Sequence, residues 1–231
     1  LQLIDFLNSC NIKKFIFSSS AATYGIPTDG ICRDSDKTLM PINPYGKSKL
    51  MIESILQDYN KAYDFNSISL RYFNAAGADP DAEVGECREQ ETHIIPLAIK
   101  AAMDGNGFKL FGDDYNTKDG TCVRDYVHVM DLADAHLKAL NLVGNQIKCG
   151  SYNLGSGIPT SNKQMLDSVQ KYAGKMEITI NPRRPGDPDM LVADISRTKS
   201  DLGWDPINSS IDNIVGTAVK WHNTINKKKI N

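Results

Sequence analysis

The sequence has no long apolar run and almost no excess charge of either sign. None of its hydrophobic segments approaches the roughly 18–20 residues that a membrane-spanning helix needs. Its 26 basic and 28 acidic residues give a formal net charge of −2, which argues against nucleic acid or an anionic membrane surface as the main partner. With 41% hydrophobic and 23% charged residues, the composition predicts a soluble globular protein.

Residues that commonly bind metals or form disulfides are few and scattered. The five cysteines form no C-x-x-C pair, and the four histidines lie far apart in the sequence. This spacing argues against both a disulfide scaffold and a metal site, and it favours a reducing cytoplasm. The chain has no initiator methionine and no signal-peptide pattern, and Leu3, Ile4 and Leu7 are spaced as in a helix. We therefore expect a segment to precede residue 1.

The first third of the chain reads as strand, helix, strand. Residues 13–20 form a short apolar run that ends in three serines, and residues 67–72 alternate as in a strand. Between them, residues 43–63 have apolar positions with a 3.6-residue period, with Asn43 as the N-cap and Pro44 at the first helical position. These lengths predict a βαβ unit and a parallel sheet, hence an α/β fold.

The composition changes to glycine, alanine and acidic residues over 75–91, and this stretch is the predicted domain boundary. Helical and strand patterns continue beyond it. We predict helices at 94–103, 132–142, 163–173, 196–202 and 211–223, and strands at 108–111, 122–128, 151–154 and 177–180.

Tyr45 and Lys49 lie four residues apart at the start of the predicted helix, so both side chains share one face. A free phenol titrates near 10, and a fixed ammonium beside it would favour the phenolate that a base at neutral pH requires. Such a pair also arises by chance, and a surface tyrosine beside a lysine with a solvated head is the alternative. The two residues alone leave both interpretations open.

Ser20 ends the first predicted strand. In open parallel sheets, ligands bind outside the carboxyl ends of the strands, where its hydroxyl could bond a substrate oxygen. The alternative is a serine that only solvates a strand end. Because one βαβ unit could bring Ser20 and Tyr45 to the same edge, the two signals together favour a catalytic site there.

Six blocks, in order along the chain, resemble the UDP-glucose 4-epimerases, also called UDP-galactose 4-epimerases, of the extended short-chain dehydrogenase/reductase family. The resemblance extends from one end of the chain to the other and corresponds to the carboxyl-terminal two thirds of such an enzyme. The blocks are FSSSAATYG (17–25), PYGKSKLMIE (44–53), LRYFNAAGADP (70–80), DGTCVRDYVHVMDLADAH (119–136), YNLGSG (152–157) and RRPGDP (183–188).

The resemblance implies a Rossmann-like, doubly wound parallel sheet with a smaller α/β substrate-binding domain. Residues 1–76 would be the carboxyl-terminal part of an NAD-binding domain whose glycine-rich half is absent. Residues 77–231 would bind the UDP-sugar, with about 120–145 packing back on the first part.

The resemblance also implies a reaction. Ser20, Tyr45 and Lys49 would be catalytic, and NAD would take a hydride from C4 of a UDP-hexose and return it to the other face of a 4-keto intermediate. This is the interconversion of UDP-glucose and UDP-galactose in galactose metabolism. A homodimer in the cytoplasm is implied as well.

Further site residues follow from the matching blocks. Arg124 and Arg184 would bind the diphosphate, although on the residues alone they could form plain surface ion pairs with Asp125 and Asp187. The implied cofactor-binding residues are Ser18, Ser20, Tyr45, Lys49, Tyr72 and Phe73. The implied substrate-binding residues are Ser20, Tyr45, Asn74, His93, Ile94, Lys109, Leu110, Phe111, Arg124, Arg184, Asp187 and Leu191.

Departures from the family pattern limit what the resemblance implies. The phosphate-binding turn G-x-x-G-x-x-G is missing, so we expect this chain by itself to bind NAD poorly and to be inactive. His93 stands where relatives often have asparagine. Leu191 occupies a position that limits the C2 substituent of the sugar. UDP-GlcNAc or UDP-glucuronate 4-epimerase, or a non-catalytic UDP-sugar-binding fragment, are therefore alternatives.

A sugar-nucleotide 4,6-dehydratase is disfavoured. Related dehydratases carry Thr-Asp-Glu near the catalytic serine position, whereas this chain has Ser20-Ala21-Ala22 and lacks both carboxylates.

Overall fold

The computed structural model describes residues 1–36 and 39–230, with side chains described as far as residue 226. The helices are α1 (Gln2–Ser9), α2 (Pro44–Tyr63), α3 (Ile94–Asp104), α4 (Val129–Leu142), α5 (Asn162–Ala173), α6 (Ser196–Leu202) and α7 (Ile211–Ile230). The strands are β1 (Lys14–Ser20), β2 (Ile31–Cys32), β3 (Asn66–Tyr72), β4 (Asn74–Ala76), β5 (Phe108–Phe111), β6 (Val123–His128), β7 (Cys149–Leu154), β8 (Pro159–Ser161), β9 (Ile178–Asn181) and β10 (Met190–Ala193).

A three-stranded parallel sheet in the order β1-β3-β7 confirms the predicted βαβ unit. Ser20 pairs in register with Tyr72, so the carboxyl ends of β1 and β3 lie side by side. Ser19, whose side chain points to one face of the sheet, bonds to α2, whereas Tyr72 bonds to α4 on the other face. Helices therefore cover both faces, as the predicted α/β class requires.

The second sheet has the order β2-β10-β6-β4, with β8 antiparallel to β6. Its members come from distant parts of the chain, and β4 follows directly on β3. A separate parallel pair joins β5 and β9. Because β3 belongs to the first sheet and β4 to the second, the chain crosses from one sheet to the other at residues 73–74. The domain boundary near residue 76 stays a prediction.

Three clusters of buried apolar side chains hold these layers together. The first includes Leu70 and Trp204 around the three-stranded sheet, the second joins α3, α5 and α7, and the third packs α1 and α2 on Phe65. In the part of the chain that the structure describes, no helix is long and apolar enough to cross a membrane.

Several predicted details are wrong. The apolar period of residues 43–63 predicts a buried Tyr63, but this side chain is 52% exposed, because α2 ends there and the chain turns at Asp64. Helix α4 begins at residue 129 rather than 132, since the His128 side chain caps it by accepting a bond from the Met130 N–H. The short strands β2, β4, β8 and β10 were not predicted.

Candidate active site at the carboxyl ends of β1 and β3

A cavity of about 470 Å³ opens where β1 and β3 end. Ser20 and Tyr45 line one wall, and Phe73 and Asn74 line the wall that leads to the second sheet. Cavities of about 380 Å³ and 280 Å³ adjoin it through shared lining residues such as Asp187. The site is therefore an extended cleft between the two sheets, long enough for more than one chemical group.

Ser20 is held at the rim by a short turn of 3-10 helix over residues 21–23. Its Oγ accepts a bond from the Ala22 N–H at 3.2 Å, and its carbonyl accepts one from the Thr23 hydroxyl. A hydroxyl that accepts from the backbone keeps its own proton for another acceptor. Ser20 can thus donate a hydrogen bond into the cavity.

Helix α2 starts against this turn. Asn43 Oδ1 accepts the Gly46 N–H at 2.8 Å, so the predicted N-cap is confirmed. A Cβ on Gly46 would lie 2.2 Å from the Ala22 carbonyl oxygen, a distance that no side chain tolerates. The missing side chain lets the helix start approach the serine turn, which brings Tyr45 to the rim of the cavity.

Lys49 lies beside Tyr45 as the spacing predicts. Its Nζ is 5.5 Å from the centre of the Tyr45 ring and 5.0 Å from that of Phe17, and it donates to the Ser18 carbonyl oxygen at 2.9 Å. Tyr45 itself is 56% exposed. The ammonium is thus fixed by the backbone of β1 and lies against the phenol, within the range at which a cation acts on an aromatic ring.

A buried ion pair anchors α2 behind these residues. The Glu53 carboxylate accepts from the Arg71 guanidinium at 2.6 Å and 3.0 Å, and it also accepts from the hydroxyls of Ser19 and Ser151. Arg71 donates in addition to the Tyr24 hydroxyl at 2.8 Å. The sequence prediction missed Glu53, because an acidic residue on an apolar helix face has no local signal that reveals its partner.

A second hydrogen-bonded chain lies on the opposite face of the sheet. The Tyr72 hydroxyl is 2.8 Å from Ser18 Oγ and 2.6 Å from His136 Nε2. The rings of Tyr72 and His136 pack with centroids 5.7 Å apart. Burial raises the pKa of Tyr72, so this phenol stays protonated at neutral pH.

The start of α3 forms the far wall of the main cavity. His93 is its N-cap residue, and the N–H groups of the first turn have no side-chain cap. Glu86 accepts from His93 Nδ1 at 2.7 Å and from Arg88 Nε at 2.8 Å, and both Glu86 and Arg88 line the cavity. The sequence prediction missed these two residues, which lie in the loop interpreted as a boundary.

Glu86, Glu91 and His93 place possible ligand atoms within 4.8 Å of one another. The Glu86 carboxylate already bonds to the His93 ring and to Arg88. A positive neighbour on that carboxylate disfavours a bound cation, and no metal site is proposed here.

The two arginines of the cleft do not form the ion pairs that the sequence suggested as alternatives. Arg124 bonds to Asp187 at 2.7 Å, whereas Asp125 points into the protein and accepts from the backbone of Ser156 and Ala193. Arg184 stacks on the Phe111 ring with its guanidinium carbon 4.3 Å from the centroid. Both arginines line the main cavity.

The structure brings together most of the predicted site residues. Ser18 and Lys49 do not line the cleft but contact residues that do, Tyr72 and Tyr45 respectively. The lining of the main cavity includes Ser20, Tyr45, Tyr72, Phe73, Asn74, His93, Ile94, Arg124, Arg184 and Asp187. Lys109, Leu110 and Phe111 line the cavity of about 380 Å³, and Leu191 lines that of about 280 Å³.

Comparisons with known proteins identify the family of this chain. Residues 1–155 match the model of the "NAD dependent epimerase/dehydratase family". The chain is 47% identical over 224 residues to the UDP-glucose 4-epimerase of Lactobacillus helveticus, a match that covers 96% of this chain and 68% of that protein.

Solved structures are similar over nearly the whole chain. The UDP-glucose 4-epimerase from Brucella ovis in complex with NAD superposes with a TM-score of 0.90 at 41% identity, covering 94% of this chain and 67% of that one. The enzyme from Bifidobacterium longum in complex with NAD⁺ and UDP gives 0.87 at 36% identity, covering 96% and 67%. These likenesses confirm the predicted Rossmann-like fold. The chain belongs to the NAD dependent epimerase/dehydratase family and, within it, to the UDP-glucose 4-epimerases.

Proposed function

We propose that this chain carries the catalytic and UDP-sugar-binding residues of an NAD-dependent enzyme that epimerises UDP-hexoses at C4 and interconverts UDP-glucose and UDP-galactose. One observation carries the proposal. Ser20 and Tyr45 line the same cavity while the Lys49 ammonium is fixed against the Tyr45 ring. The relatives that share this chain's sequence and fold are UDP-glucose 4-epimerases.

The residues at the carboxyl end of β1 fit a dinucleotide. Lys49 uses one N–H on the Ser18 carbonyl, which leaves two donors for ribose hydroxyls. Tyr72 and Phe73 offer flat apolar surface at the same edge, where ligands of parallel sheets bind. Bound NAD⁺ would supply the hydride acceptor for C4 and the donor for the return to the opposite face.

Proton transfer is then the task of this chain's own residues. Tyr45, as phenolate, takes the proton of the sugar 4-hydroxyl and gives it back after the 4-keto sugar has turned over. The Lys49 ammonium stabilises the phenolate, and Ser20 donates a hydrogen bond to the sugar oxygen as its proton leaves. General acid–base assistance of this kind contributes about 10²–10⁴ in rate.

The remaining predicted residues would bind the UDP part. The uncapped N–H groups at the start of α3 suit a diphosphate, and so do the guanidinium groups of Arg124 and Arg184. The adjoining cavity, with Lys109, Leu110 and Phe111 in its wall, would take the uracil. Asp187 would then bond the ribose hydroxyls, and Leu191 would border the hexose.

Replacing the proposed base tests this assignment. In the complete gene product, we expect Tyr45→Phe to lower the turnover number for UDP-galactose by about 10²–10⁴, because the variant lacks the oxygen that carries the proton. KM should change little, since the ring is retained. Tyr63→Phe, at the far end of the same helix and 52% exposed, is the matched control and should keep full activity. Undiminished turnover by a folded Tyr45→Phe would refute the proposal.

A homodimer in the cytoplasm is part of the same proposal. Helices α1 and α2 lie side by side and expose Phe6 at 62% and Met51 at 64%. Exposed apolar side chains on two adjacent helices suit contact with a second copy of the chain. We expect Phe6→Glu combined with Met51→Lys to halve the mass seen by sedimentation, whereas Ile207→Lys, at an 82% exposed site elsewhere, should not. If the double variant sediments with the mass of the parent protein, these two helices do not form the dimer contact.

A further inference from the structure

The hydrogen-bonded chain on the α4 side of the first sheet has a definite direction. His136 Nδ1 lies 2.7 Å from the Leu132 carbonyl oxygen, which can only accept, so Nδ1 carries a proton. In the neutral imidazole the other nitrogen, Nε2, is then an acceptor. In this neutral form the bond of 2.6 Å between Nε2 and Tyr72 uses the phenol's proton.

The direction continues to the end of β1. The Tyr72 hydroxyl has one proton and donates it to His136. In the bond of 2.8 Å with Ser18, the serine hydroxyl is then the donor and Tyr72 the acceptor. Ser18 Oγ is then left with lone pairs alone. The Ser18 side chain is exposed and lies beside the carbonyl that accepts from Lys49, at the edge where the proposed cofactor would lie.

We propose that His136 is a positioning residue: through Tyr72 it turns Ser18 Oγ into a pure acceptor for an N–H or O–H group of the dinucleotide. This inference rests on the proposed function for the identity of that ligand. His136 lines none of the three cavities of the cleft and would act through the two hydroxyls. A histidine that merely packs α4 on the sheet would have no such effect on Ser18.

The tautomer of His136 tests the direction without any ligand. In histidine-labelled ¹⁵N protein, long-range proton–nitrogen correlations distinguish the two neutral forms. We expect the Nδ1–H form for His136. The Nε2–H form would overturn the inference, because Tyr72 would then be free to donate to Ser18. This measurement needs no substitution and so does not depend on a variant that folds.

The affinity for NAD tests the consequence. In the complete gene product freed of bound dinucleotide, we expect His136→Phe and Ser18→Ala each to weaken NAD binding about three- to ten-fold, the effect of losing one hydrogen bond. The double variant should be no weaker than Ser18→Ala, because His136 acts only through that hydroxyl. Asn141→Ala, at an exposed site on the same helix, should leave the dissociation constant unchanged.

The outcomes separate the inference from the proposed function. Additive losses in the double variant would overturn the inference and assign His136 a packing role. Unchanged affinity in His136→Phe would overturn it as well. A parent protein that binds no NAD would refute the proposed cofactor, and with it the ligand of Ser18.

Discussion

The neighbours of two carboxylates, the buried Asp125 and the half-buried Asp34, determine how each one ionises. Asp125 accepts from the N–H groups of Ser156, Gly157 and Ala193, although burial still raises its pKa. Asp34 has poorer partners. One of its oxygens, Oδ2, has no bond among the described residues, and burial raises the pKa of this carboxyl to about 6.

The raised pKa of Asp34 predicts that the stability of the fold depends on pH. Its pKa is higher in the folded protein than in the unfolded chain, where it is near 3.9, so the folded state holds the proton longer. Stability is therefore lost as the pH rises from about 4 through 6. Asp34→Asn, which mimics the neutral carboxyl, should raise the free energy of unfolding by about 1–3 kcal/mol at pH 7 and by almost nothing at pH 4.

Urea unfolding of both proteins at several pH values between 4 and 7 measures this difference. The difference between variant and parent isolates Asp34 from the other titrating groups. A gap that stays constant from pH 4 to pH 7 would show that Asp34 ionises normally in the folded protein.

The proposed catalytic residues were predictable from local patterns, whereas the residues that hold them in place were not. Tyr45 and Lys49 share a helix face, and Ser20 ends an apolar strand, so spacing and strand ends were enough to single them out. Glu53 of α2 has no such signal, because its partners Arg71 and Ser151 lie on two strands that are distant from it in the sequence. Only the pairing of β1, β3 and β7 brings them together.

At the scale of elements, α2 is joined to the sheet by a buried charge as well as by apolar packing. Leu56 is the largest buried apolar side chain of this helix, and Glu53, one turn beyond Lys49, is equally buried. The pair with Arg71 is almost completely shielded from water. Loss of one partner would leave an uncompensated buried charge.

Glu53→Gln should therefore lower the free energy of unfolding by about 3–5 kcal/mol, measured by guanidinium unfolding. Replacing both residues, as in Glu53→Met with Arg71→Met, should be less harmful than the single change, since no charge stays buried. Asp58→Asn breaks an exposed pair with Lys61 on the same helix and should change stability by no more than about 0.5 kcal/mol. Equal losses for the buried and exposed pairs would contradict this account.

Some long periodic elements were predicted well, whereas α7 extends to residue 230 instead of 223 and four short strands were not predicted. The helices over 94–103 and 163–173 differ from the observed α3 and α5 by one residue at one end, because an apolar stripe determines them locally. Strands β2 and β10 have two and four residues and pair with each other across about 160 intervening positions, and β10 also pairs with β6. No pattern within so short a segment specifies such a partner.

For the whole molecule, the cleft between the two sheets links ligand binding to folding. The second sheet and the β5–β9 pair supply Arg124, Phe111 and Lys109, and the loop before β10 supplies Arg184 and Asp187. A ligand that contacts all these segments binds the folded protein and not the unfolded chain. UDP at 100 times its dissociation constant should add about 2.7 kcal/mol to the free energy of unfolding.

Arg184→Gln should reduce that gain. Loss of one charge-assisted hydrogen bond weakens binding about ten-fold, so the gain at the same UDP concentration falls to about 1.4 kcal/mol. Arg183→Gln is the control, since the neighbouring Arg183 stacks on Tyr115 and bonds to Asp114 instead. Denaturant unfolding with and without UDP provides the comparison. Equal losses in both variants would assign the effect to general charge, not to the cleft.

Gly46 sets the position of the proposed catalytic groups without taking part in their chemistry. Even a methyl group there would meet the Ala22 carbonyl and push the start of α2 away from the serine turn, while Ser20, Tyr45 and Lys49 all remained in the sequence. Such a displacement would keep every reactive atom. It would move the proton donor and acceptor too far apart for a proton to pass between them. The three reactive side chains are therefore not sufficient by themselves. Residue 46 must also lack a side chain, so that the start of α2 can approach the Ala22 carbonyl.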